Sequence, residues 1–226
     1  MSRFFLFAIL TWITGSPLLA VVILIALAVP SWFVGSRWAF RFSRKVRAWG
    51  EAGRLRRALT INPHDAKARV DLGAILTRQG RFREARAELE QVLPRVDDLP
   101  DANYFLGLCL MNDGAAERGR SLVERALAIN PKFGYGEPYL RLGDFHAERS
   151  EWAPAAGRYR QAVDIYGSSV EGWSKLGQVL IELAQKEEAR EALGEALTSY
   201  RTAPWYRRSD DRPWKRHATR LARSLD

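Results

Sequence analysis

Trp173-Ser174-Lys175-Leu176-Gly177-Gln178-Val179-Leu180 is followed, after a short polar stretch, by Ala189-x3-Leu193-x2-Ala196. Both halves read as helix. Trp173, Leu176, Gly177 and Leu180 share one helical face, and so do Ala189, Leu193 and Ala196. A glycine inside a helix costs about 1 kcal/mol relative to alanine. Gly177 therefore points to a neighbouring helix that approaches too closely for a side chain, and the small residues of the second half would permit that approach from the other side.

The same pattern recurs towards the N-terminus. Leu72-Gly73, Leu106-Gly107, Leu142-Gly143 and Leu176-Gly177 follow one another at 34, 36 and 34 residues. Three residues before each leucine stand Arg69, Asn103, Tyr139 and Trp173, and three after each glycine stand Leu76, Leu110, His146 and Leu180. A second helix with small residues at helical spacing follows each time, beginning at Ala85, Gly119, Ala155 and Ala189. Gly80 and Gly114 sit where two helices must turn, and Pro138 and Pro154 fall in first turns, where a missing N–H costs nothing. A lone helix pair cannot bury its apolar face, whereas stacked pairs share a core.

At Trp173-x2-Leu176-Gly177-x2-Leu180 and Ala189-x3-Leu193 the chain resembles the tetratricopeptide repeat family, built from antiparallel helix pairs of 34 residues. The resemblance covers units 66–99, 100–135, 136–169 and 170–203. Leu55, Ala58 and Thr60-Ile61-Asn62-Pro63 look like the second half of an earlier unit, continuous with a basic helix over 41–65. The implied fold is an all-α tetratricopeptide-repeat α-solenoid of about four and a half units. Departures from the family pattern are Arg69 and Asn103 in aromatic slots, Gly119 in place of a packing alanine, and no closing proline in the first and third units. Within a basic capping segment, 204–226, residues 209–225 read as a capping helix: Ser209 is placed to cap it, Trp214, Ala218, Leu221, Ala222 and Leu225 form its apolar stripe, and Arg212, Lys215, Arg216, Arg220 and Arg223 form its other face.

The opposite terminus is apolar. Phe4 to Val34 holds no charge over 31 residues, about 46 Å as one helix against a hydrocarbon core of about 30 Å. Gly15-Ser16-Pro17 divides it into an arm, 4–14, and a transmembrane span over about 18–38, the two making an anchor over 1–40 that is either a single span or a shallow hairpin. Trp32, Trp38 and Trp49 suit the headgroup level. Arg37, Arg41, Arg44, Lys45 and Arg47, against Arg3 alone on the other side, predict contact with anionic lipid and a cytoplasmic repeat domain in a bacterial-type membrane protein. Ala26-Leu27-Ala28 has the form of a signal-peptide cleavage site, but the long apolar run and the basic stretch beyond it argue for an anchor.

Charge is unevenly spread. The chain of 226 residues carries +9 overall, yet residues 61–200 hold 18 basic and 22 acidic residues, and the positive charge sits in 36–60 and 201–226. A nucleic-acid reader would carry it on the folded body, so none is expected to bind. One cysteine, Cys109, leaves no internal disulfide framework, and His64, His146 and His217 lie far apart without metal-ligand spacing. With no Walker loop, nucleophile elbow or His-Glu-x-x-His, the sequence predicts no enzyme, no cofactor and no small-molecule substrate.

The family resemblance implies instead a groove lined by the first helix of each unit. Val70, Tyr104, Leu108, Met111, Asp144 and Gln178 are the expected partner-binding residues, apolar around Tyr104, Leu108 and Met111 and acidic further on. Family members that clamp a C-terminal carboxylate use paired Lys and Asn on these faces; Val70, Ala74, Asp101 and Glu137 stand there instead, so that use is not expected. The reading is a membrane-tethered scaffold that holds a peptide or helix of a partner protein. Its rivals are an envelope assembly factor with the repeats outside the cytoplasm and a regulatory accessory subunit of a membrane enzyme.

Overall fold

The computed structural model describes Ser16, Leu18, residues 50–93 and residues 98–225. They divide between two compact units, Met1–Glu51 and Ala52–Asp226, and nearly all lie in the second. The second unit is helical, and no strand occurs among the described residues. Helix α1 covers 52–61. It is followed by α2 (Ala66–Arg78), α3 (Phe82–Glu90), α4 (Pro100–Asn112), α5 (Ala116–Ile129), α6 (Glu137–Ala147), α7 (Trp152–Ile165), α8 (Val170–Glu182), α9 (Lys186–Thr202) and α10 (Trp205–Arg223). Among the described residues no helix is long and apolar enough to cross a membrane. The expected arm at 4–14, the span at about 18–38 except Leu18, and Arg37, Arg41, Arg44, Lys45 and Arg47 lie outside the described residues.

Each helix pair closes on its glycine. A methyl group on Gly73 would lie 2.5 Å from Leu89, on Gly143 2.4 Å from the Tyr159 ring, and on Gly177 2.6 Å from Leu193. On Gly107 it would lie 2.8 Å from both the Gly119 carbonyl oxygen and Val123. Gly119 thus has its own explanation: α4 and α5 meet backbone to backbone, and a side chain there would strike Gly107 and Met111. Elsewhere Ala85, Ala155 and Ala189 occupy the matching place and are fully buried.

The turns inside the pairs share a left-handed residue. Gly80 and Gly114 hold it with φ of 76° and 85°, and Ser150 and Ala184 hold it at 60° and 59°. Between pairs, side chains satisfy the exposed helix starts: Asp65 accepts from the Ala68 N–H at 2.9 Å, and Ser169 from the Gly172 N–H at 3.0 Å. Asn62 and Asn130, each before a proline, accept from the backbone N–H two residues on.

The two departures in the aromatic slots are structurally accounted for. Trp173 Nε1 donates to the Gly167 carbonyl, six residues back, at 2.7 Å. Arg69 does the same from the equivalent slot, donating to the Pro63 carbonyl, also six residues back, at 2.9 and 3.1 Å, and it pairs with Glu88 at 2.7 Å. Asn103 is buried and donates to the Leu99 carbonyl at 2.9 Å. A planar N–H donor tying the helix to the preceding loop, rather than aromaticity, is what the slot requires in the first and fourth units.

The capping helix begins one turn earlier than the sequence suggests. Pro204 precedes it, and Ser209, expected as its cap, lies inside the helix with its hydroxyl on the Tyr206 carbonyl. Pro213 also lies inside. The expected apolar stripe does face inward: Ala218 is fully buried with Leu193 and Ala196, and Leu221, Ala222 and Leu225 pack around them.

These backbones fix the sign of four substitutions. Ser150→Gly and Ala184→Gly relieve left-handed strain and should each stabilise the fold by about 0.5–1 kcal/mol, while Gly80→Ala, which meets no neighbouring atom but keeps the strained φ, should cost about 1 kcal/mol. Gly107→Ala should cost about 1–3 kcal/mol because backbone, not a flexible side chain, blocks the methyl. Urea titration of the four variants measures all of this.

Candidate functional site

First helices α2, α4 and α6 line a cleft of about 450 Å³. Its apolar wall is Phe82, Phe105, Leu108, Met111 and Phe145, and its polar rim includes Arg78, Glu137, Arg141, Asp144 and Glu148. Arginines lie over two of its rings: Arg78 Cζ is 5.1 Å from the centre of Phe105, and Arg149 Cζ is 3.6 Å from that of Phe145. Such stacking keeps each ring in place while leaving the guanidinium edge able to donate.

The far side of the cleft is an ion-pair network between the third and fourth units. Lys175 Nζ donates to both oxygens of Asp144 at 2.8 and 2.9 Å and to Glu171 at 2.6 Å. Arg141 lies 2.9 Å from Asp144, 3.6 Å from Glu171 and 3.9 Å from Glu137. Tyr159 donates its hydroxyl to Asp144 at 2.8 Å. Burial foremost, reinforced by Asp144, pushes the Tyr159 phenol well above its ordinary range. Burial alone would lower the Arg141 pKa, but Glu171 and Asp144 outweigh it and raise it. The groove is therefore not simply acidic beyond Met111, as the spacing of Glu137, Asp144 and Glu171 predicts. Two of those carboxylates are neutralised by Arg141 and Lys175, so the cleft presents both signs of charge.

Of the expected binding residues, Leu108, Met111 and Asp144 line the cleft. Val70 and Tyr104 do not. They are 4% and 2% exposed, and the Tyr104 ring packs 5.1 Å from Phe105 and 5.5 Å from Phe133. Burial, followed by Glu137, drives the Tyr104 phenol far above its ordinary range. Gln178, still exposed, shares a 3.0 Å hydrogen bond with His217 of α10, and buried Ser174 reaches the Trp214 carbonyl at 3.5 Å, so α10 covers the groove at Ser174 and flanks it at Gln178. Lys175 lies 4.9 Å from the Trp214 ring and joins the covered end to the network.

Phe105 and Arg141, which the repeat spacing alone does not select, stand one residue beyond Tyr104 and Leu140. That one-residue step turns a helix face by about 100°. A signal is nonetheless present: Phe105 and Arg141 occupy the same repeat position, and a charged residue there does not suit a position buried between helices of one pair. Arg78 and Phe82 come from the end of α2 and the start of α3, where helical periodicity gives no face.

Two further side chains, Cys109 and His146, are reactive by type. Cys109 is fully buried, its thiol 3.4 Å from the Thr77 hydroxyl, and burial raises its pKa. His146 meets Glu151 at 2.6 Å and packs edge-on against Phe145. Both serve packing, and neither faces the cleft.

Family models described as tetratricopeptide repeat match residues 52–109 and 170–202. Tetratricopeptide repeats are present in this chain. Solved structures agree on the fold. TTC0263, a thermophilic TPR protein of Thermus thermophilus, is 20% identical with a TM-score of 0.60, covering 82% of this chain and 96% of its own. MamA is 18% identical with a TM-score of 0.60 over 70% of this chain and 92% of its own. YrrB, a TPR protein with an unusual peptide-binding site, is 16% identical with a TM-score of 0.56 over 76% and 92%. The search of curated proteins finds no match.

Two predictions separate core from surface in these repeats. Tyr104→Ala should destabilise the fold by about 3–5 kcal/mol, whereas Leu108→Ala, half-exposed in the cleft, should cost less than about 1 kcal/mol; thermal melts of both decide it. The second concerns pH. Burial, then Arg220, lowers the His217 pKa from its ordinary 6.5. The unfolded chain takes up this proton first, so the contribution of neutral His217 is complete above about pH 6.5 and is lost as pH falls towards the folded pKa. Hydrogen-exchange protection in α10, corrected for the intrinsic pH dependence of exchange, should fall as pH drops below about 6.5, and His217→Gln should abolish that His217-dependent part.

Proposed function

We propose that this chain is a membrane-tethered scaffold that holds a peptide or helix of a partner protein in the cleft between α2, α4 and α6. The observation that carries the reading is a cleft in which part-exposed Leu108 and Met111 lie over the buried rings of Phe105 and Phe145, flanked by Arg78 and Arg141. Apolar anchors in a concave site with a few fixed polar groups are what a peptide side chain needs. A groove on stacked helices suits an amphipathic helix or an extended segment. YrrB, a protein of like fold, has an unusual peptide-binding site, which supports the same use here.

The tether is read from the uncharged run Phe4–Val34 and the basic residues Arg37, Arg41, Arg44, Lys45 and Arg47. On this reading the repeats lie on the cytoplasmic face of a bacterial-type cell membrane, with the basic stretch against anionic headgroups. Tethering confines the partner to the membrane plane and so raises its effective concentration there.

A photo-crosslinking residue at Leu108 should capture a discrete protein in native membranes. The same probe at Ala87, exposed on α3 outside the cleft, should capture none, and Met111→Ala, at a part-exposed cleft position, should reduce the Leu108 adduct at least about tenfold with little change in melting temperature. Equal capture at both positions would overturn the groove. A phosphatase fused after Asp226 should be inactive; activity would put the repeats outside the cytoplasm and favour an envelope assembly factor.

A further inference from the structure

Helix α10 carries a second surface that the groove does not use. Trp205, Arg208, Arg212, Arg216, Arg220 and Arg223 follow one another three or four residues apart, and all six are exposed. At about 100° per residue they share one face, opposite Trp214, Ala218, Leu221 and Leu225. The row runs about 27 Å at about 1.5 Å per residue. Trp205 is 68% exposed, and its neighbour Tyr206 is 51% exposed.

Most arginines of the repeats are ion-paired, with Arg78, Arg83, Arg118 and Arg201 as scattered exceptions, whereas those on this face lack carboxylate partners among the described residues in a continuous row. Arg56, Arg69, Arg81, Arg86, Arg120, Arg141, Arg149, Arg158, Arg160 and Arg190 each lie within ion-pair distance of a carboxylate. Among the described residues, Arg212, Arg216, Arg220 and Arg223 have no such pairing, and Arg208 turns back to the carbonyls of Ala203 and Arg201. A sequence that balances charge along its repeats leaves a straight positive edge here, with two exposed aromatic rings at one end.

We propose that this arginine edge is a second membrane contact, which rests on anionic lipid headgroups with Trp205 and Tyr206 at the headgroup level. The chemistry it meets is a flat array of phosphates. The edge lies along the outside of one helix, and its residues do not line the cleft between α2, α4 and α6, so it does not enclose an acidic peptide. Exposed Trp and Tyr beside Arg are the residues that partition to a bilayer interface. Each guanidinium adds an increment near an anionic surface, and the increments fade with salt. The inference shares the membrane setting of the proposed function but not its anchor, because it concerns only α10.

The test uses the full chain with Cys109→Ala and Tyr206→Cys, the new thiol carrying an environment-sensitive dye. It is mixed with vesicles of phosphatidylcholine alone or with about 30% phosphatidylglycerol. A blue shift and quenching by headgroup-level doxyl lipid are expected on the anionic vesicles only, with at least half the shift lost at about 1 M salt. Reversing Arg212, Arg216, Arg220 and Arg223 to Glu should abolish the shift, while changing all four to Lys, which also controls for folding, should retain it. An equal shift on neutral vesicles, no shift on anionic ones, or a larger shift with polyglutamate or RNA than with lipid would each overturn the proposal. Flotation with vesicles at about 1 M salt reads the N-terminal anchor separately: its loss with the dye response intact would remove the tether and leave this contact standing.

Discussion

Every repeat rests on one close approach: a glycine on the first helix pressed against the residue sixteen positions later on the second. Gly73 meets Leu89, Gly107 meets Val123, Gly143 meets Tyr159 and Gly177 meets Leu193. The partners differ in size from valine to tyrosine, but the register does not change. Fixing both ends of a sixteen-residue segment fixes where the chain must reverse, and the left-handed residue falls seven positions after each glycine, at 80, 114, 150 and 184. Two of those positions are not glycine. Their strain follows from the register, which tolerates a costly backbone at Ser150 and Ala184 rather than moving the turn.

The same constraint explains what could be read from the sequence. The four Leu-Gly pairs at intervals of 34 to 36 residues give the helix pairs, their turns and the inward stripe of α10, because each depends on contacts within one unit or with its neighbour in a repeating register. The start of α10 could not be read in the same way. Ser209 is a good capping residue by type, but Trp205 to Arg208 can extend the helix backwards, and Pro204 is the residue that stops it. The groove was half legible. Leu108, Met111 and Asp144 face the cleft, whereas Tyr104 and Val70 turn into the stack. Repeat spacing names the first-helix face, but which edge of that face stays open depends on how far the next pair rotates, and no residue within a single pair records that rotation.

Charge in the cleft was less legible still. Glu137, Asp144 and Glu171 read as an acidic run because they share a repeat face. Their cations come from the same helix and from the next unit: Arg141 serves Asp144 and reaches Glu171, and Lys175 serves both Asp144 and Glu171. Pairs that span some thirty residues are invisible to any helical period. Their effect is to convert a surface that would repel anions into one with both signs available, and to lock the third unit to the fourth through half-buried charges. Removing one partner from such a set leaves another charge partly buried, so the network favours one arrangement of the units more than it adds to stability.

Helix α10 settles how much of the groove remains. It touches both helices of the fourth unit, as α4 touches both α2 and α3, and so stands where the first helix of a fifth unit would. Two consequences follow from its having no second helix packed after it among the described residues. Its inner side packs over Ser174 and hydrogen-bonds Gln178, which narrows the groove at the fourth unit. Its outer side is covered by no helix among the described residues, so nothing in that packing requires apolar residues there, and the arginines along it cost the fold little. The arginine edge occupies that side, with Trp205 and Tyr206 exposed at its start.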